Sequence, residues 1–280
     1  QDAGMSQEIQ TFAAIQPAQE PSSPNLRFRT FRTITALILR EMSTTYGRTP
    51  GGYIWAILEP LAMIVLFAIG FSLMLRSPSL GTSFLWFYAS AILPLRMFQR
   101  ISGNVGNAIS FNRALMSYPR VTFIDVVTSR FLLAVLTQSM VAAVVLVGIH
   151  SYDNVREIID YQILFTAFAA TIWLGLGVGT LNCFLTFRYP LWSTLWGIAT
   201  RPLMLISGVF FIYEDLPEFA QNILWFNPVL HITGYARAGM FYSIYSPHYI
   251  SLTYVFLCGT IPLFFGVLLL RKFGQEALYK

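Results

Sequence analysis

The chain has 280 residues, of which 55% are hydrophobic and only 11% charged, with a formal net charge of +5. A soluble globular domain is roughly a quarter charged, so this composition excludes an ordinary soluble enzyme and directs the reading toward a bilayer. The modest positive excess fits a bias of basic residues toward one membrane face, and no nucleic-acid partner is expected.

Residues 1–25 are polar and rich in Gln, Pro and Ser, and are expected to form a disordered N-terminal tail. In residues 26–48, Leu26, Phe28, Phe31, Ile34, Leu37 and Ile38 recur at helical spacing, while Arg27, Arg29, Arg32 and Arg40 fall mostly off that stripe. The pattern predicts an amphipathic helix lying in the membrane interface. Such a helix serves either as a surface anchor or as a docking arm for a cytoplasmic partner.

Crossing a bilayer takes about 20 apolar residues in a helix. Residues 161–187 are long enough and carry no charge, and 249–270 are likewise uncharged up to Arg271-Lys272. Four more stretches qualify: 53–75, broken at Glu59-Pro60; 80–99; 121–149, with Asp125 and Arg130 near its start; and 192–213, with Arg201 inside. Alternation at strand spacing is absent, which favours helices over a barrel. The predicted fold is an all-α membrane protein, with six transmembrane helices in a permease domain over 49–280.

Most of the 18 basic residues fall on one side of this topology when the N-terminus is inside. Only Arg76, Arg156 and Arg237 are then outside, and Arg201 lies within a span. Because cytoplasmic segments are the basic ones, both termini are expected in the cytoplasm.

Two longer connections carry their own patterns. Residues 103–120 are a polar segment closed by Pro119, with Asn112, Arg113 and Arg120 expected to be exposed around Ala114, Leu115 and Met116. They read either as a plain loop or as a short helix whose apolar ridge and basic rim fit a groove in another protein. Residues 214–248 are too polar to span but too apolar for open solvent, with Asn227-Pro228 dividing two helical stretches. A re-entrant hairpin in the outer leaflet fits, since broken backbone at membrane depth survives where protein surrounds it.

Glu59 and Arg201 are the ionisable residues deep within spans. A charge there costs at least ~2.5–3.5 kcal/mol, so each should face a partner or an aqueous path. A Glu59–Arg201 pair and a conduit role for Arg201 are both open readings, and Glu59 also suits a helix break at Pro60. Gly175, Gly177 and Gly179 lie in an unbroken apolar helix, and Gly175 with Gly179 matches the small-xxx-small pattern of close helix packing. Cys183 and Cys258 lie inside spans and read as small apolar residues. His150, His231 and His248 show no metal spacing, so neither a metal nor a catalytic residue is expected.

The only lysines are Lys272 and Lys280, after the last span. A phosphate-binding loop needs a Gly-rich turn followed by Lys and Ser/Thr, so no ATP hydrolysis by that route is expected from this chain. Active transport would then draw on an ion gradient or on a separate ATPase.

The segment YGRTPGGYIWAILEP (46–60) resembles the entry to the first span of type-2 ABC exporter permeases, most nearly the capsular polysaccharide export permeases of Gram-negative bacteria. FNRALMSYPRV (111–121) is similar to their cytoplasmic coupling helix, and LPEFAQNILWFNPVLHITGYARAGMF (216–241) to their outer-leaflet hairpin. The resemblance covers roughly 26–275 in the right order. It implies a homodimer in the bacterial inner membrane, bound to two copies of a separate ABC ATPase that holds ATP and Mg, while this chain holds no cofactor. The implied cargo is a lipid-linked acidic polysaccharide; O-antigen, teichoic acid or a small lipophilic drug are the alternatives on the same scaffold. Periplasmic and outer-membrane export proteins are further implied partners. The implied conduit, lined from the first, second and fifth spans, gives Tyr53, Trp55, Glu59, Arg201, Tyr213, Trp225 and Arg237 as candidates. The implied ATPase-coupling candidates are Arg32, Arg40, Asn112, Arg113, Leu115, Met116 and Arg120.

Overall fold

A computed structural model describes residues 29–45, 52–116, 121–153 and 157–273. The expected tail over 1–25, residues 26–28 and the 46–51 connection lie outside the described residues, as do Arg120 and the side chain of Tyr53. Among the described residues the regular structure is helical throughout. In chain order it comprises α1 (Arg29–Thr45), α2 (Gly52–Ser72), α3 (Phe84–Gly106), α4 (Ala108–Met116), α5 (Phe123–Tyr152) and α6 (Tyr161–Arg188). The short α7 (Leu191–Thr200) and α8 (Leu203–Ile206) follow, then a 3-10 turn at Tyr213–Asp215, α9 (Glu218–Leu224), α10 (Pro228–Met240) and α11 (Leu252–Phe273).

Among the described residues, four helices are long and apolar enough to cross a membrane: Ile54–Ser72 of α2, α5, α6 and α11. Helix starts are written locally. The Ser83 hydroxyl accepts from the Trp86 amide at 3.0 Å to open α3. Thr122 and Asp125 close a reciprocal capping box at the head of α5, satisfying two of the amide donors that a helix start leaves orphaned. Asp160 accepts from the amides of Gln162 and Ile163 to open α6. The acidic connection between α5 and α6 is thus put to use: Asp153 accepts from the Ser83 hydroxyl, and Glu157 from the Thr82 amide at 3.2 Å.

Helix α6 is the centre of the bundle, packed against α3, α10 and α11, and α3 in turn meets α2, α5 and α10. Its glycines set the spacing. A Cβ on Gly175 would come 2.9 Å from Ile101, and one on Gly179 would come 2.8 Å from Val105, so both face α3. Gly177 looks the other way, where a Cβ would overlap the Gly259 carbonyl of α11. Without an apolar driving force between helices in lipid, this backbone approach supplies the dispersion contacts that hold them. Helix α3 is less apolar than its neighbours because it is enclosed by protein instead of lipid, with Trp86, Phe87, Ile92 and Ile101 almost wholly buried.

The stretch expected to cross at 192–213 is not one continuous helix. Helix α7 stops at Thr200, Arg201-Pro202 breaks the ladder, α8 lasts four residues, and Gly208 turns the chain at φ 69°. Pro202 has no amide to donate and its ring crowds the preceding turn. Helix α7 has no buried residue and is tied to α6 by the Trp192 indole, which donates to Asn182 at 2.9 Å. The division at Asn227-Pro228 is observed between α9 and α10, with Asn227 capping α10 and Pro228 at its first position.

Gly177→Val should wedge α6 from α11 and lower the melting temperature of the purified protein, an overpacking cost of about 1–3 kcal/mol. Gly70→Ala, on an open face of α2, should change stability by less than about 0.5 kcal/mol. Equal melting of the two variants would remove the close approach as the organising contact.

Candidate functional site

Three elements bring the charged residues of the interior together. Glu59 projects from α2 one residue before Pro60, and α3 presents Arg96 and Arg100 one turn apart. Arg96 lies 3.4 Å from the Glu59 carboxylate, and Arg100 donates to its other oxygen. Arg96 also reaches the Met63 sulfur at 3.4 Å. The side chains are 43% exposed for Glu59, 25% for Arg96 and 48% for Arg100, so the cluster is open to its surroundings. It forms part of the wall of a cavity of about 510 Å³, whose other side is Trp196, Thr200, Arg201 and Met204 of the α7–α8 segment.

Glu59 and Arg201 therefore share a cavity, but they do not pair. The carboxylate is taken by the two arginines of α3, which the sequence shows only as charges on the inner side of a span. Among the described residues no carboxylate lies within ion-pair distance of Arg201. The cavity holds three guanidinium groups against one carboxylate. Guanidinium forks bind carboxylate and phosphate through paired charge-assisted hydrogen bonds, so the arrangement suits anions passing or resting between α2, α3 and the α7–α8 break. Trp55 lines a smaller space beside the same cluster.

The remaining conduit candidates sit around α9, α10 and the turn after α8, engaged with the protein itself. Tyr213 stacks on Tyr249 at 4.0 Å and donates to the Gln221 carbonyl at 3.1 Å. Trp225 stacks on Tyr254 and donates to the Tyr249 carbonyl. Arg237 faces no open path: it is 2% exposed. Its guanidinium donates to the carbonyls of Gly208 at 2.9 Å and Phe211 at 3.1 Å, and to the Ser90 hydroxyl at 3.3 Å. It also lies 4.3 Å from the centre of the Phe87 ring. These are the carbonyls that the break after α8 leaves without helical partners, so Arg237 satisfies the broken backbone. Proximity in space to Ser90 and Gly208, invisible in the sequence, decides its role.

On α1 and α4 the coupling candidates separate into buried and exposed sets. Helix α1 buries Leu37 and Glu41 against α5, while Arg32 is exposed. Glu41 meets Arg130 of α5 at 3.0 Å, both side chains below a tenth exposed. Arg130 also donates to the Asn107 carbonyl at 3.3 Å and lies 4.2 Å over the Phe111 ring of α4. Burial pushes the Glu41 carboxyl above its ordinary range, against the pull of Arg130. Asn112 is buried, not exposed: its amide donates to the Ala108 carbonyl, its oxygen accepts from Arg40 at 3.4 Å, and its non-helical backbone kinks α4. Met116 is buried and Leu115 packs on the same core, so the apolar ridge of α4 faces its own chain. Arg113 and Phe111 remain on the outer surface.

Removing one member of a buried ion pair leaves the other charge uncompensated, at about 3–5 kcal/mol, whereas replacing both with apolar side chains is often neutral. Arg130→Met should thus melt far below the parent protein, and Glu41→Leu combined with Arg130→Met should recover most of that loss. A double variant no more stable than Arg130→Met alone would show that the pair is not what joins α1 to α5.

The sequence is similar to those of known proteins. Over 245 residues the chain is 27% identical to the capsule polysaccharide export inner-membrane protein CtrC of Neisseria meningitidis serogroup B, covering 87% of this chain and 92% of that one. It is 30% identical over 248 residues to the polysialic acid transport protein KpsM of Escherichia coli, covering 88% and 95%. It is 27% identical over 246 residues to the capsule polysaccharide export inner-membrane protein BexB of Haemophilus influenzae, covering 87% and 92%. Residues 32–241 match the ABC-2 type transporter family, and with membrane-length helices around a helical break, the chain belongs to that family.

Proposed function

We propose that this chain is the membrane subunit of an ATP-driven exporter that carries lipid-linked capsular polysaccharide outward across the bacterial inner membrane. The cationic cavity between α2, α3 and the α7–α8 segment carries the reading. Three guanidiniums in a membrane protein are costly without an anionic use, and an acidic polymer supplies one where an apolar drug does not. The relatives named for capsule polysaccharide export point the same way.

The permease works as a homodimer. Helix α7 has no buried residue and α2 exposes Ile54, Leu58, Leu66 and Ile69, so these faces are available to a second copy, and the cavity walls come from the same helices. Six passes are assigned to α2, α3, α5, α6, the α7–α8 segment and α11. Helix α3, at 23 residues, measures about 34 Å, enough to cross. Both termini are cytoplasmic. The chain hydrolyses no ATP itself; two copies of a separate ABC ATPase dock at α4 and α1, where Arg113 and Arg32 face outward. The 218–240 helices line the outer leaflet side. Periplasmic and outer-membrane export proteins receive the polymer beyond the membrane.

The test is complementation in a host whose own capsule permease has been deleted and whose ATPase is retained. The parent chain should restore surface capsule, and Arg201→Gln should lower it severalfold with the protein still inserted. Arg113→Glu should reduce co-purification of the ATPase without changing the melting temperature, because its side chain is exposed. A fully exporting Arg201→Gln protein would refute the conduit role. In a background lacking Cys183 and Cys258, a cysteine at Glu218 should be labelled from outside intact cells and one at Arg113 should not; the reverse would overturn the orientation.

A further inference from the structure

Helices α5 and α6 follow one another across a short connection, and consecutive elements usually lie together in space. Here they scarcely touch, and each leans on α3 instead. The space left between them is a crevice of about 670 Å³. Its floor is α3, where Trp86 and Met97 are 2% and 1% exposed. Small residues, Ser139, Ala142 and Ala143, recess the α5 wall, and Phe165, Phe168 and Ala169 belong to the α6 wall. No Asp, Glu, Lys or Arg is among the lining residues. The three walls share one length. Trp86 to Met97, Ser139 to His150 and Tyr161 to Ile172 each rise roughly 16 Å, and one leaflet of hydrocarbon is about 15 Å deep. His150 and Tyr161, both exposed, flank the end beside the α5–α6 connection. There the Trp86 ring lies 5.9 Å from the His150 ring, held by its indole, which donates to the Met240 carbonyl at 3.3 Å.

We propose that this crevice holds one acyl chain of a bilayer phospholipid, with its ester end between His150 and Tyr161 and its methyl end against Met97, and that the chain is the packing surface joining α5 to α6. Both helices are long and apolar enough to cross the membrane, so bilayer lipid reaches the opening whatever the cargo is. Water is a poor occupant. It needs two to four polar partners, the Trp86 indole is already engaged, and away from the mouth only the Ser139 side chain offers one. A polyanion finds no cationic wall. An empty crevice would forfeit the dispersion contacts that hold helices together where lipid is as apolar as the side chains. A straight apolar chain meets all three walls along their length. Histidine and tyrosine rings belong at headgroup level, and each carries a donor for an ester or phosphate oxygen. With no carboxylate, ammonium or guanidinium in the lining, the site reads the length of the chain and not the charge of the headgroup.

The test uses the full-length protein, purified, delipidated and then supplied with dioleoyl phosphatidylcholine, dioleoyl phosphatidylglycerol or didecanoyl phosphatidylcholine. Native mass spectrometry counts the lipid retained on each chain, and the melting temperature follows its effect. Both dioleoyl lipids should raise the melting temperature and be retained within about twofold of each other, since exposed charges contribute little. The didecanoyl lipid should be held severalfold more weakly, because each missing methylene forfeits its contacts with the walls. Ala143→Phe with Ala169→Phe, which fills the crevice from both walls, should abolish that retention and melt, without lipid, no lower than the delipidated parent. Leu268→Phe, on an exposed face of α11, should retain lipid as the parent does. Val147→Trp, at the exposed rim, should weaken retention severalfold, and it keeps the site testable if the paired variant does not fold.

Retention at the parent's level by Val147→Trp, or by a folded paired phenylalanine variant, overturns the site. Equal retention of the didecanoyl lipid overturns a chain that runs the whole crevice. A strong preference for either dioleoyl headgroup overturns recognition through the tail. Loss of self-association in Val147→Trp with lipid retention unchanged would give the crevice to a second copy of this chain and overturn the lipid. None of these readouts depends on cargo, so the lipid site and the export reading stand or fall separately.

Discussion

Arg237 is buried, 2% exposed, and the packing of α3, α10 and the turn after α8 depends on how its guanidinium is satisfied. Its guanidinium joins α10 to α3 through Ser90 and to the turn after α8 through two carbonyls. Backbone that leaves helical geometry at membrane depth must find partners inside the protein. The chain supplies them from one side: Asn227 donates to the Ile206 carbonyl and Ser207 hydroxyl, Thr233 to the Ser207 carbonyl, and Arg237 to Gly208 and Phe211. The turn after α8 is tolerable because α10 lies against it. The earlier break at Arg201-Pro202 ends α7 with Arg201 exposed in the cavity wall.

A second buried guanidinium organises the packing of α1, α4 and α5. Arg130 joins α5 to α1 through Glu41 and to α4 through Asn107 and Phe111. The two nodes differ in kind from the Glu59 cluster between them. Arg237 and Arg130 have their geometry fixed by packing and their charges matched by groups that stay in place. Arg96 and Arg100 share one carboxylate and line two cavities, partly exposed.

Much of this was readable from residue order. The uncharged runs at 161–187 and 249–270 correspond to α6 and α11 because burial in lipid demands length and apolarity, which a sequence shows directly. Gly175 and Gly179 read correctly as a packing face, and Asn227-Pro228 as a division between helices, since both are local rules. The partners of Glu59 were not readable. They depend on how α3 is rotated about its axis, and Arg96 and Arg100 had already been accounted for as charges that set orientation. Arg237, placed outside by counting, is enclosed because Ser90 and Gly208, far away in sequence, come to it. Asn112 reads as exposed in the sequence, and the ridge of Leu115 and Met116 as a fit for another protein, but Asn112 is buried and the ridge packs on its own chain.

The arrangement around Arg237 also imposes an order on biogenesis. Residues 206–211 emerge from the ribosome before the helix that satisfies their carbonyls exists. Until residues 227–237 are made and docked, the carbonyls of Ile206, Ser207, Gly208 and Phe211 in a nascent chain lack these partners. The turn after α8 is therefore completed only once α10 has been made.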